Sequence, residues 1–485
     1  MVRFSVLSNA RWLAVSRVVS VGIQVVGVVW LSRLLTPADY GLVAMALVVT
    51  GFANLVRDMG TASALIQKED LNDETVLTTF WFTLALGAAL GVMVAGSAPL
   101  LALAFKAPGL TGILLLLALT FPILGSTTVH QAMLERHSRF PLLARIEAVS
   151  GVSALAVGII AARSGAGAYS LVLQSLAYAG ASSAQLWFAS DLRPRWCWSR
   201  HELRSIRRVS DFLVGFNIVN YFSLHADTMI IGRFLGADNL GPYSLAWRII
   251  LFPLQNLTVV ASRALYPIMS RQQSAPEEMA ALYFRTLSVI AFITAPTMAG
   301  LFVLREPFIV VVLGNKWLAM SDILAWLVPV GFVFSLTCTT GTVLMARGRA
   351  NVLFYLGIAG TIVHVLAFML GLRWGVVGVA AGYCVATIVS SFWDFYFVFL
   401  VLEERVSRFF RFVLTPMILS GAMGLVVWGC KTFLPLGMFA PAGQLVLLVL
   451  VGAGTYTTLA FAFARESLRD TFRLIGRSRN RGNAW

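Results

Sequence analysis

Arginines stand inside long apolar stretches of this sequence, where a charged side chain is costly. They are Arg17, Arg57, Arg248 and Arg263. A charge at the centre of a membrane helix costs roughly 3 kcal/mol on the mildest scales, so it usually marks a site. Guanidinium groups bind phosphate and carboxylate best, which predicts an anionic ligand. Two alternatives stay open: Arg17 and Arg263 are close enough to helix ends to reach the headgroups, and Arg57 is able to pair with Asp58.

Polar amides accompany these arginines at helical spacing. Asn54 precedes Arg57 by one turn, and Gln255 follows Arg248 by seven residues. Residues at such spacings share one face of a helix. The pattern predicts a cavity with a polar lining, and we expect that lining to include Asn54, Asn217, Asn220 and Gln255.

Two acids also fall inside apolar stretches, Asp227 and Asp394. A buried carboxylate binds a proton or a sodium ion, so both are candidates for ion coupling; the membrane potential is another driving force. Asp227 has an alternative role as the ion-pair partner of Arg248. His225 and His364 are isolated and are expected to be hydrogen-bonded packing residues. The four cysteines show no metal-binding spacing, and neither a metal nor a cofactor is expected.

The composition places these residues in a membrane. The chain has 485 residues, of which 58% are hydrophobic and 12% are charged, against roughly 25% charged in soluble proteins. A net charge of +15 is compatible with nucleic-acid binding, but the basic residues gather in loops between apolar stretches, so no nucleic-acid partner is expected. We predict an all-α integral membrane protein with about fourteen transmembrane helices. They are placed at 12–32, 41–66, 76–104, 110–133, 142–162, 167–189, 211–234, 241–269, 284–304, 318–345, 350–371, 376–401, 411–430 and 443–464.

The distribution of lysine and arginine predicts the orientation. Alternate loops are rich and poor in basic residues, and the rich set includes both termini. Basic loops stay in the cytoplasm, so both termini are predicted to be cytoplasmic in a bacterial inner membrane. The connections are short, which leaves no extramembrane domain for a catalytic site.

A repeat organises the helices. The stretch "WLSRLLTPADYGLVAMA" at 30–46 returns as "IIGRFLGADNLGPYSLA" at 230–246, and Arg139, Arg163 and Gly165 return as Arg349, Arg373 and Gly375. Such parallel repeats predict two pseudo-symmetric six-helix lobes that rock around a cavity, exposing it to each side in turn. The expected division is an N-lobe at 1–190, a linker at 191–210, a C-lobe at 211–408, two further helices at 409–464 and a basic tail at 465–485.

Turn residues within the repeated hairpin are candidates for hinges or for plain static turns. They are Pro37, Gly41, Gly241 and Pro242. The second copy has Gly236-Ala237 in place of Thr36-Pro37, which makes a symmetric gate doubtful. The linker mixes tryptophan with arginine, and the tail has an apolar face flanked by arginines. Both are predicted to lie on the anionic inner leaflet or, alternatively, to bind a glycosyltransferase.

Several motifs resemble one family of membrane proteins. "LSRLLTPADYGLVA", "RDMGTASALIQKED" at 57–70, "FKAPGL" and "REPFIVVVLGNKW" resemble the polysaccharide flippases of Wzx type, in the MATE-like superfamily that also includes multidrug and oligosaccharide-lipid exporters. The subgroup most similar exports exopolysaccharide of the colanic-acid type. The resemblance implies a monomer with a MATE-like fold that turns undecaprenyl-diphosphate-linked oligosaccharides from the inner to the outer leaflet, alongside glycosyltransferases and a polymerase.

Two other functions compete with this one. A cation-coupled drug exporter needs acids along its cavity to hold organic cations, whereas arginines outnumber acids inside these spans. An integral-membrane glycosyltransferase, polymerase or ligase needs sizeable outer loops, which are short here. The glycan itself stays open.

Overall fold

The computed structural model describes residues 2–57, 65–66, 68, 71–206, 211–271, 276–433 and 440–463. For some helical residues only the backbone is described, and not the side chain: 2–17, 204–206, 211–216, 219, 255–268, 270–271, 276 and 411. Every regular element in the described residues is helical, which confirms the predicted fold class. In a membrane each backbone amide must be bonded within its own segment, and an α-helix achieves this.

The chain forms two compact units, Met1–Gly241 and Pro242–Trp485. The first unit contains ten helices and the first turn of an eleventh among its described residues. These are α1 (Val2–Leu34), α2 (Pro37–Arg57), α3 (Asp73–Phe105), α4 (Leu110–Ala118), α5 (Thr120–Gly125), α6 (Thr128–Arg136), α7 (Phe140–Arg163), α8 (Tyr169–Ala189), α9 (Arg200–Ile206), α10 (Asp211–Phe234) and the start of α11 (Ala237–Arg271).

The second unit continues α11 and adds seven helices among its described residues. These are α12 (Pro276–Val312), α13 (Met320–Thr337), α14 (Thr340–Ala346), α15 (Ala350–Gly371), α16 (Gly375–Leu402), α17 (Val406–Phe433) and α18 (Pro441–Phe463), with short 3-10 turns at Asn315–Trp317 and Leu372–Trp374. The boundary between the units falls inside α11, so α10 groups with the first unit. The lobe and linker limits drawn from the sequence remain a prediction.

Eight helical stretches of the described residues are long and apolar enough to cross a membrane, or nine if the bent pair Leu110–Gly125 and Thr128–Arg136 is one span. One of the eight, Ala350–Leu402, consists of α15 and α16. The predicted count of fourteen therefore stays a prediction. The predicted helix at 110–133 is wrong in detail, since it is divided into α4, α5 and α6.

Hydroxyl groups account for the 41° bend in that stretch. Ser126 donates to the carbonyl of Ile123 at 2.7 Å, and Thr127 and Thr128 both donate to the carbonyl of Leu124 at 3.0 Å. Side chains that bond to carbonyls in this way compete with the helical ladder and bend it.

The repeated segments adopt the same local backbone. Leu35 N–H donates to the carbonyl of Leu31 at 2.8 Å, and Leu235 N–H donates to that of Ile231 at 2.8 Å. Left-handed positions recur at the offset of 210 residues as well. They are Ser138 (φ 55°) with Gly348 (φ 69°), and Gly165 (φ 83°) with Gly375 (φ 69°). The internal repeat is therefore structural as well as sequential.

The two repeated turns close differently. In the first copy, Thr36 donates its N–H and its hydroxyl to the Asp39 carboxylate at 2.8 and 2.7 Å, and Asp39 N–H returns a bond to the Thr36 hydroxyl. This is a reciprocal cap at a helix start. In the second copy, Gly236 turns the chain at φ 81° instead. The sequence difference between the copies thus changes how each turn is held.

Candidate functional site

A contact between α2 and α10 fixes the register of these two helices in the first unit. The Tyr221 hydroxyl donates to the carbonyl of Val48 at 2.6 Å. It does so across Gly51, where a Cβ would lie 2.5 Å from the Tyr221 oxygen. Phe52 packs against the rings of Tyr221 and Phe222, with centroids 5.8 and 5.2 Å away. Tyr221 was not among the predicted site residues.

The two helices run antiparallel. A Cβ on Gly232 would lie 3.3 Å from the Met45 side chain, whereas Tyr221 meets Val48 and Gly51. Asn54 and Arg57 follow Gly51 along α2, and Asn217 and Asn220 precede Tyr221 along α10. The structure therefore brings all four predicted polar residues to the same end of one helix pair, the end predicted to be cytoplasmic.

The environments of these four side chains differ. Asn217 and Asn220 are exposed, and Asn54 and Arg57 are half-buried. The Asn54 Oδ1 atom is buried and has no hydrogen bond within the described part of the chain, and the Nη1 atom of Arg57 is also buried. An unbonded buried carbonyl oxygen costs roughly 1–3 kcal/mol, so it is usually kept for a ligand or for water.

Asp227 lies further along α10, beyond Tyr221. Its side chain is 6% exposed, and its Oδ1 accepts bonds from the N–H and hydroxyl of Thr228 at 2.6 and 3.2 Å. The His225 ring packs on Tyr221 with centroids 4.4 Å apart. Asp227 is therefore a buried acid on the same helix pair as Asn54 and Arg57.

In the second unit, Arg248 is exposed on α11. Its neighbours face the core of that unit. Trp247 packs edge-on against Tyr383 at 5.1 Å, and a Cβ on Gly331 would lie 2.5 Å from Ile250. Because α11 begins at Ala237, Arg248 lies about 17 Å along it, deeper than the sequence predicted. Arg248 thus lies on the helix face turned away from the unit's core.

The structure describes the side chain of only one of the remaining predicted ligand-binding and coupling residues. Asp394 is half-buried in α16. The side chains of Arg17, Gln255 and Arg263 lie outside the described residues, so their predicted roles are unchanged.

Three of the four predicted hinge residues, Pro37, Gly41 and Gly241, meet at one crossing in the first unit. A Cβ on Gly41 would collide with the backbone carbonyl of Ala237, and a Cβ on Gly241 would collide with that of Pro37. Residues 37 and 237 correspond in the repeat, as do 41 and 241, so the two copies touch through equivalent positions. The boundary between the compact units falls between Gly241 and Pro242. The crossing is closely packed, and its role as a hinge remains a prediction.

Two histidines have contrasting surroundings. In the second unit, His364 bonds at both ring nitrogens, to the Gly360 carbonyl at 2.7 Å and the Thr387 hydroxyl at 3.2 Å. In the first unit, His130 is fully buried between Phe80 and Trp187, and neither ring nitrogen has a hydrogen bond to any residue that the structure describes. His130 could not be predicted from the sequence, because its aromatic neighbours Phe80 and Trp187 are about fifty residues away on either side.

The chain matches the family described as polysaccharide biosynthesis protein over residues 30–322, which is more than half of its length. One relative is the teichuronic acid biosynthesis protein TuaB of Bacillus subtilis. It is 26% identical over 452 residues, which is 93% of each chain. The match to the family confirms the resemblance seen in the motifs.

Solved transporters share the fold. The lipid II flippase MurJ in an inward closed conformation superposes with a TM-score of 0.73 at 14% identity, over 95% of this chain and 100% of that one. An inward-facing multidrug resistance transporter of the MATE family superposes with a TM-score of 0.63 at 15% identity, over 79% and 94%. The chain belongs to the polysaccharide biosynthesis protein family and has the fold of the MATE-like membrane transporters.

Proposed function

We propose that this protein is a flippase for undecaprenyl-diphosphate-linked oligosaccharides. It turns them from the inner to the outer leaflet of the cytoplasmic membrane by alternating access, for the synthesis of a polysaccharide of exopolysaccharide or O-antigen type. It is a transporter rather than an enzyme. One observation carries the proposal. The chain belongs to a family of polysaccharide biosynthesis proteins, and over 95% of its length it has the fold of the lipid II flippase MurJ.

The residues of the site suit such a substrate. A lipid diphosphate is dianionic, and moving it through hydrocarbon requires fixed cations. We assign the headgroup to Arg17, Arg57, Arg248 and Arg263. We expect the sugar hydroxyls to bond to Asn54, Asn217, Asn220 and Gln255. The Oδ1 of Asn54 is an available acceptor, since it has no hydrogen bond to a described residue.

Coupling requires an energy source and no organic cofactor. Asp227 is the leading candidate for binding a proton or sodium ion, because it is buried in α10, which the sequence predicts to be a membrane helix. Asp394 is the second candidate. The membrane potential also acts directly, since it moves one elementary charge with roughly 2.3 kcal/mol per 100 mV.

The proposal includes the cellular setting. The protein works as a monomer in the inner membrane with both termini in the cytoplasm. Glycosyltransferases supply its substrate and a polymerase consumes the product.

Complementation tests this function. A bacterium whose own polysaccharide flippase gene is deleted receives this chain, and surface polysaccharide and undecaprenyl-linked intermediates are both measured. Restored surface polysaccharide with no build-up of intermediates is expected for a host that makes the matching glycan. Extrusion of cationic dyes without any restored polysaccharide, across hosts with different glycans, would contradict the proposal in favour of a drug exporter.

A further inference from the structure

The segment that follows α8 folds back onto α3 instead of crossing open solvent. We call residues 190–199 the strap. The Trp81 indole N–H donates to the carbonyl of Arg195 at 3.0 Å, and Ser199 N–H donates to the Thr78 hydroxyl at 3.1 Å. The rings of Trp81 and Trp196 lie 4.8 Å apart. The strap is therefore attached along one side of α3.

An ion pair secures the end of the strap. Glu202, just inside α9, binds Lys68 at 2.6 Å and accepts the Thr75 hydroxyl at 2.7 Å. Lys68 also donates to the Thr75 hydroxyl at 3.2 Å. Because Glu202 and Lys68 neutralise each other, neither adds to the charge that the strap presents outward.

The other side of the strap is exposed, basic and aromatic. Trp196 is 77% exposed and Trp198 is 45% exposed, and Arg195 and Arg200 are exposed as well. Arg193 differs, because it donates to carbonyls where the strap leaves α8, including that of Ser190 at 2.8 Å. Asp191 is the one exposed acid among the strap's residues. The outward side thus carries a net positive charge.

The length of α3 predicts the depth of this surface in the membrane. Its 33 residues span about 50 Å, whereas the hydrocarbon core is about 30 Å thick. An upright α3 therefore extends roughly 10 Å beyond the core at each end. Thr75, Thr78 and Trp81 lie about 3, 8 and 12 Å from the start of α3, so the strap is at the level of the lipid headgroups. Phe188, in the last turn of α8 beside it, is 88% exposed.

We propose that Arg195, Trp196, Trp198 and Arg200 form a binding surface for anionic phospholipid headgroups. Tryptophan prefers the headgroup level, where its ring stays apolar and its N–H stays hydrated, and arginine adds attraction to anionic lipid. The contacts with α3 order the strap before lipid binds, so binding requires no folding of the segment. This inference concerns the lipid around the protein and is independent of what the protein transports.

An environment-sensitive fluorophore tests the proposal. The four native cysteines are replaced by alanine, Trp196→Cys is labelled with nitrobenzoxadiazole, and the full chain is reconstituted in phosphatidylcholine vesicles containing increasing phosphatidylglycerol. We expect a blue shift that grows with phosphatidylglycerol and weakens in high salt. Arg195→Gln and Arg200→Gln together should lower the apparent affinity for phosphatidylglycerol about fivefold per arginine.

Trp374→Cys is the matched control. Trp374 is 72% exposed at the turn before α16, with Arg373 as its one basic neighbour in sequence. A label there should respond much less to phosphatidylglycerol. Two results would overturn the proposal. One is an emission wavelength at position 196 that is the same in pure phosphatidylcholine and in the mixtures, and the other is a blue shift that the two glutamine substitutions leave unchanged. Such a water-exposed strap would point to a protein partner instead.

Discussion

Arg57 is the last described residue of α2, and its Nη1 atom is buried. If it binds the diphosphate, Arg57→Ala removes a charge-assisted bond worth roughly 1.5–3 kcal/mol, and export should fall tenfold or more. Lysine should restore part of the export, because it keeps the charge but lacks the forked geometry. Arg248→Ala should behave in the same way. Surface polysaccharide is measured alongside the amount of protein in the membrane.

Arg163→Ala is the control for that comparison. Arg163 ends α7 and lies over the Trp30 ring at 5.5 Å, and no headgroup role is assigned to it. Export should be nearly unchanged in this variant. Wild-type levels of polysaccharide in both Arg57→Ala and Arg248→Ala would refute the headgroup assignment.

Glu202 makes a prediction about pH. The hydrogen bonds from Lys68 and Thr75 lower its pKa from 4.5 to about 2. The folded state thus favours the ionised form, and the resulting stabilisation is complete above the unfolded pKa and declines as the pH falls from 4.5 towards 2. Glu202→Gln should lower the Tm of the detergent-solubilised protein at pH 7, by an amount that shrinks below pH 4.5.

Asp191→Asn supplies the comparison, since Asp191 is an exposed acid of the same strap. Its Tm should follow that of the wild type across this range. If Glu202→Gln lowers the Tm by as much near pH 3 as at pH 7, the ion pair is not the source of the stabilisation.

At the scale of elements, the crossing of α2 and the first turn of α11 depends on two glycines. Gly41→Ala puts a methyl group into the carbonyl of Ala237, which the backbone has to move to accommodate. Overpacking of this kind costs roughly 1–3 kcal/mol, so Tm and export should both fall. Gly96→Ala is the matched control, because nothing lies within 4 Å of its Cβ position in α3. Unchanged Tm and export for Gly41→Ala would show that the crossing is dispensable.

The sequence predicted the helices and the repeat for a physical reason. In lipid, backbone amides and carbonyls without hydrogen bonds are too costly, so a long apolar stretch usually forms an α-helix. The repeat was visible partly because both copies need glycine at the crossing, at positions 41 and 241, where a Cβ would collide with the other copy's backbone. The bend at Ser126–Thr128 was missed because hydroxyl bonding within a helix leaves hydropathy unchanged.

The candidate site was predicted only in part. Arg57, Asn54, Asn217 and Asn220 stand out as polar residues in apolar stretches. Tyr221 does not, and although the linker's mixture of tryptophan and arginine was visible, its attachment to α3 was not, because both depend on contacts between distant residues. Tyr221 meets a carbonyl 173 residues away, and Thr75 meets Glu202 127 residues away. A single sequence contains no record of such pairs.

At the scale of the whole molecule, the charge distribution predicts the topology. Alkaline phosphatase fused after Gly165 or Gly375 should be active, because both turns are assigned to the periplasmic side. Green fluorescent protein fused to the C-terminus should fluoresce, because that end is assigned to the cytoplasm. An active phosphatase at the C-terminus would reverse the orientation and with it the proposed direction of transport.

The central claim is that this protein moves a lipid-linked sugar across a bilayer, and reconstitution tests it most directly. Purified protein is placed in liposomes containing a fluorescent undecaprenyl-diphosphate-linked sugar, and dithionite added outside bleaches only the outer-leaflet label. We predict that wild-type protein exposes inner-leaflet label to bleaching, and that the Arg57→Ala, Arg248→Ala double variant does not. The comparison is made with a pH gradient, a sodium gradient or a membrane potential applied. If the fraction of label bleached with folded wild-type protein equals that in protein-free liposomes, the claim is contradicted.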